Sequence, residues 1–80
     1  MAEYNQPKIY LEALEILSPR EIEVLKMVEK GYSNKEIAKE LHLSPRTIQK
    51  HRNNVCNKLC ISGRHGLIKW IWEVRNGDFE

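Results

Sequence analysis

Eighty residues with a formal net charge of +2 amount to one small domain, whose core alone gives it marginal stability and whose overall field is weak. No run approaches the ~18 apolar residues that a membrane helix needs, and the N-terminal residues lack the basic-then-apolar pattern of a secretory signal. The two cysteines, Cys56 and Cys60, are too few for a disulfide scaffold, so reduced thiols and a cytoplasmic location are expected.

Strand signals are absent, and an all-α fold is predicted. Tyr10, Ala13, Leu14 and Leu17 recur at i, i+3, i+4 and i+7, which predicts a short amphipathic helix docking on the core within an N-terminal segment or linker over 1–16. Residues 1–6 and 77–80 are expected to fray. The main domain is expected over 17–76. Ser18-Pro19-Arg20-Glu21 reads as a capping box with proline at the first helical position, and Leu17 and Ile22 as its hydrophobic staple. Ile22, Leu25 and Val28 share a face, and Gly31 is the stop. Ser33-Asn34-Lys35-Glu36 repeats the capping box, stapled by Tyr32 and Ile37, with Ile37, Ala38 and Leu41 apolar.

After the tight connection His42-Leu43, Ser44-Pro45 opens a third main helix expected over about 45–59. Here Thr47 stands where a capping box would have Glu, so no carboxylate competes with an anion for the helix N-terminus. At 100° per residue, Ile48, Val55 and Leu59 face inward while Arg46, Gln49, Lys50, Asn53 and Asn57 face outward. Charge sharpens the picture. Residues 41–72 contain no Asp or Glu, yet hold Arg46, Lys50, Arg52, Lys58, Arg64 and Lys69; a segment of one sign suits a polyanion. The last helix is expected over about 63–76 with two apolar stripes: Leu67, Trp70, Ile71 and Val74, and, about 100° away, Ile68 and Trp72. One small core uses one of these faces, so the second is expected to pair with another copy of the chain.

Two short helices joined by a tight turn, the second polar and basic outside, form a helix-turn-helix unit. The second helix would enter the major groove of double-stranded DNA. Arg46, Gln49, Lys50 and Asn53 would read bases, the amides on adenine and the cations on guanine. Ser44, Thr47, His51 and Lys58, with Lys35 from the bracing helix, would hold phosphates. Ile68 and Trp72 would form the dimer contact. The two amides among the readers point towards half-sites containing A·T pairs.

Leu17-Ser18-Pro19-Arg20-Glu21, Val24-Leu25, Gly31, Ser33-Asn34-Lys35-Glu36-Ile37-Ala38, Leu41, Leu43-Ser44-Pro45-Arg46-Thr47-Ile48, His51-Arg52, Asn54-Val55, Lys58-Leu59 and Arg64 closely resemble the LuxR/GerE-type DNA-binding domain of bacterial transcription regulators, over about residues 17–72. The resemblance implies a four-helix domain that binds DNA as a dimer through its last helix. It implies base reading by Gln49, Lys50 and Asn53, and backbone contacts by His51 and Lys58. Two positions depart from it: Cys60 stands where the family usually has the glycine that ends the recognition helix, and Gly66 falls inside the expected last helix, where glycine costs about 1 kcal/mol.

Other readings are weaker. No phosphate loop or nucleophile motif supports an enzyme. Cys56 and Cys60 with His51 or His65 lack the turn-borne Cys-x-x-Cys spacing of a zinc site, so no metal and no cofactor is expected. A helical module binding only protein is an alternative that salt dependence would separate, since apolar protein binding does not weaken steeply with ionic strength; a sigma-factor-like promoter-recognition module, which keeps DNA binding but works with RNA polymerase, is another.

Overall fold

A computed structural model describes residues 8–62 and 65–76, and the expectations about 1–6, 63–64 and 77–80 lie outside those residues. The described residues form five helices: α1 (Lys8–Ile16), α2 (Pro19–Glu29), α3 (Asn34–Leu41), α4 (Pro45–Lys58) and α5 (Gly66–Asn76). No strand occurs among the described residues. The four main helices and the additional short amphipathic N-terminal helix are therefore as the sequence predicts, and α4 ends one residue before the expected Leu59.

Local chemistry sets the helix ends. The Ser18 hydroxyl accepts from the Glu21 N–H at 3.2 Å, and the Glu21 carboxylate accepts from the Ser18 N–H at 2.9 Å. Ser33 and Glu36 form the same reciprocal pair at 3.2 and 2.8 Å. Each such cap contributes roughly 1 kcal/mol. The C-terminal ends of α2, α3 and α4 all close as Schellman turns. Their long bonds run from Tyr32 N–H to the Met27 carbonyl (3.1 Å), from Leu43 N–H to Ala38 (2.8 Å) and from Ile61 N–H to Cys56 (2.8 Å). Such a turn needs a left-handed residue. Gly31 supplies it at φ 91°, but His42 and Cys60 each adopt φ 58° without being glycine, at a steric cost of roughly 1 kcal/mol. Cys60 thus keeps the turn geometry that glycine would give.

The core joins these elements. Val24, Leu25, Ile37, Ile48 and Val55 are fully buried, and α4 packs against both α2 and α3 while α5 lies on α2. Val24 is more deeply buried than Ile22, which the periodicity had placed on the inner face; Ile22, Leu41 and Leu59 pack only at the edge of the core. Tyr10, Ala13 and Leu17 bring the N-terminal helix into the same core, and the Tyr10 ring stacks on Trp70 with centroids 6.3 Å apart.

α5 turns one of its two stripes inward, against α2 and Tyr10. Leu67, Trp70, Ile71 and Val74 are buried, whereas Ile68 and Trp72 remain 49% and 58% exposed. Gly66 opens α5 instead of interrupting it, which removes the expected interior penalty and supplies a different reason for glycine. A Cβ there would lie 2.6 Å from Cγ2 of Ile61, so any side chain at this position would have to displace the Ile61 side chain.

Candidate nucleic-acid interface

The unit formed by α3, the His42-Leu43 turn and α4 presents one continuous polar surface. Burial of Ile48 and Val55 orients α4 so that Arg46, Gln49, Lys50, Asn53 and Asn57 all stand exposed on its outer side. Arg46 to Asn53 covers about 10 Å of helix at ~1.5 Å per residue, the length of roughly three stacked base pairs. Ser44 and Lys35 are also exposed, while Thr47 and His51 are half-buried.

The start of α4 differs from the other capped helix starts. The Ser44 hydroxyl accepts from the Thr47 N–H at 3.1 Å, and the two hydroxyls lie 3.0 Å apart. The first turn of α4 carries no acid, whereas Glu21 and Glu36 occupy the first turns of α2 and α3. The partial positive charge of this helix end is therefore not neutralised from within. One of the two hydroxyls beside it donates to the other, and the remaining O–H adds a donor for an anionic oxygen.

The side chains on the outer face are linked to one another. Nη1 of Arg52 donates to Oδ1 of Asn34, Nδ2 of Asn34 donates to Oε1 of Gln49, and Nε2 of Gln49 donates to Oδ1 of Asn53, each at 2.9 Å. Arg52 and Asn34 are half-buried. Sequence reasoning missed both as members of this surface. In the sequence Asn34 reads as part of a cap and Arg52 as a positive charge, and nothing local relates residues 18 apart in the chain.

Lys58 sits differently from the other expected DNA contacts. Its ammonium lies 2.8 Å from Oε1 of Glu21, a side chain only 7% exposed. Burial alone would raise the Glu21 pKa. The Lys58 hydrogen bond and charge, together with the Ser18 N–H and hydroxyl, outweigh that and lower it below the ordinary value. The pair ties the end of α4 to the start of α2, and the other two ammonium donors of Lys58 are not used by it. Glu21 was legible as a cap; its burial against Lys58 was not.

Cys56 and Cys60 are free thiols, and burial raises the Cys56 thiol against the opposing pull of the Arg52 charge. Among the described residues no three His, Cys, Asp or Glu side chains gather as a metal site. No described helix is long and apolar enough to cross a membrane.

Comparison with known proteins adds to this geometry. The family model described as bacterial regulatory proteins, luxR family, matches residues 15–71. The chain is 38% identical over 64 residues to the oxygen regulatory protein NreC of Staphylococcus carnosus, covering 80% of this chain and 30% of that protein. It is 34% identical over 68 residues to NreC of Staphylococcus haemolyticus, covering 85% and 31%. For a Staphylococcus aureus NreC the identity is 37% over the same length and coverage. The chain thus spans about a third of the length of these curated relatives. No solved structure shows a significant match.

Proposed function

Because the chain belongs to the luxR family of bacterial regulatory proteins, whose helix-turn-helix domains bind DNA in transcription regulation, we propose that it recognises a specific DNA site by laying α4 in the major groove. The observation that carries this reading is the outer face of α4, where Arg46, Gln49, Lys50 and Asn53 are exposed together with no acidic residue on that helix. The groove is about 12 Å wide and admits one helix. Those four side chains read base edges. Ser44, Thr47, His51 and Lys35 hold phosphates around them, with Lys58 reaching the backbone through the donors that Glu21 leaves free.

The exposed pair Ile68 and Trp72, one turn apart on α5, is the contact for a second copy. A two-fold dimer would present two α4 helices to half-sites about one helical turn apart. A cytoplasmic setting and action at promoters fit this role.

The test is fluorescence anisotropy of labelled duplexes titrated with salt, followed by selection of the tightest sequences. Affinity should fall steeply with salt, by about 0.9 log units per log unit of salt for each phosphate neutralised, and selection should converge on a site. Salt-insensitive binding, or none at low salt, would refute the proposal.

A further inference from the structure

The hydrogen-bonded chain on the recognition surface has a direction, and one residue imposes it. A guanidinium can only donate, whereas a side-chain amide can turn either its oxygen or its nitrogen to a neighbour. A row of amides with no such end can therefore run in two opposite senses that satisfy it equally. Arg52 removes that choice. It requires Oδ1 of Asn34 to face it, so Nδ2 of Asn34 faces Gln49. Gln49 must then offer Oε1 to Asn34 and Nε2 to Asn53, and Asn53 accepts through Oδ1. At the exposed end this leaves the Nδ2 donors of Asn53 outward.

We propose that Arg52 and Asn34 are specificity-determining residues, which act as positioning groups by fixing the donor and acceptor sense in which Gln49 and Asn53 meet the bases. The inference rests on the reading of α4 as the base-reading helix. Gln49 and Asn53 are not consumed by the chain. Each amide oxygen keeps a second lone pair, and Gln49 keeps its second N–H. Bidentate reading of adenine needs one donor and one acceptor in a set order, so an amide turned by 180° meets the base with the wrong group at each atom. The relay spans both helices of the unit, since Asn34 opens α3 and the other three residues lie on α4. A base contact made by α4 is thus specified partly from the helix that does not enter the groove.

A role limited to bracing α3 against α4 makes a different prediction, and the polarity of the substituent separates the two. Arg52→Lys keeps a donor-only end. Arg52→Gln keeps a hydrogen-bonding group but lets the chain reverse, and Asn34→Leu cuts it. The experiment compares the 80-residue chain and these variants on a randomised duplex pool, with Gln49→Ala marking the base pair concerned. Discrimination at that base pair should fall about tenfold in Arg52→Gln and Asn34→Leu and be retained in Arg52→Lys. Random-sequence binding would shift equally for all duplexes. Wild-type preference in both Arg52→Gln and Asn34→Leu, or its equal loss in Arg52→Lys, would overturn the proposal.

Side-chain amide signals of the free wild-type protein give a readout independent of variant folding and of DNA. The amide protons of Asn34 and Gln49 should exchange more slowly than those of Asn53, and equal exchange in all three would also overturn it. A wild-type chain without base preference would refute the proposed function, and the relay would then be judged by the amide signals alone.

Discussion

Replacing Lys58 by Met should destabilise the domain by leaving the Glu21 carboxylate buried without its cation. Breaking a fully buried pair costs about 3–5 kcal/mol, and breaking an exposed one about 0–1 kcal/mol. Here Glu21 is 7% exposed but Lys58 is 43% exposed, so solvent screening places the loss between these limits, at about 2 kcal/mol. An 80-residue domain has a total stability of roughly 4–12 kcal/mol. The loss is therefore a sizeable fraction of the whole, and should lower the Tm by about 8–16 °C. Adding Glu21→Gln should recover most of it, because Gln still accepts from the Ser18 N–H and carries no charge to desolvate.

The pH dependence carries the same logic. The folded Glu21 pKa is depressed below 4.5, so its contribution is fully present above that value and is lost as pH falls through the folded value. Urea unfolding of wild type and Lys58→Met should show the full gap at pH 7, narrowing as the pH falls through the carboxylate range and closed once Glu21 is protonated in both proteins. A gap under about 0.5 kcal/mol at pH 7, or one that persists unchanged in acid, would show that water rather than Lys58 solvates this carboxylate.

Cys60→Gly should stabilise the fold by about 1 kcal/mol, since glycine adopts the left-handed conformation found at φ 58° without steric cost; thermal unfolding with no gain would mean that the Cys60 side chain makes a compensating contact. Gly66→Ala should destabilise the domain by about 1–3 kcal/mol, because the new methyl meets Ile61, and a wild-type Tm would show that Ile61 moves aside freely. Gln49→Ala should weaken the selected site by about 1–3 kcal/mol while sparing random DNA; equal losses on both would remove Gln49 from base reading. Trp72→Ala should shift the association equilibrium towards monomer in sedimentation across a concentration series, whereas unchanged behaviour would separate the exposed stripe of α5 from self-association.

The sequence by itself determined whatever depends on neighbours in the chain. Ser18 with Glu21, Ser33 with Glu36 and Ser44 with Thr47 meet across three residues, so the starts of α2, α3 and α4 were readable from residue types alone. The inward line of α4 followed from helical periodicity, and with it the exposure of Arg46, Gln49, Lys50 and Asn53. The end of α4 was less plain, because Cys60 occupies a conformation that residue type argues against. Tertiary packing decided the rest. Which stripe of α5 is core depends on its packing against α2 and on Tyr10 meeting Trp70 across most of the chain. That Glu21 is a buried ion-pair partner as well as a cap depends on Lys58, 37 residues away. That Gln49 is held by α3 depends on Asn34, 15 residues away. Such partners are chosen by how helices pack, and a periodic pattern specifies which face turns inward but not which side chain it will meet there.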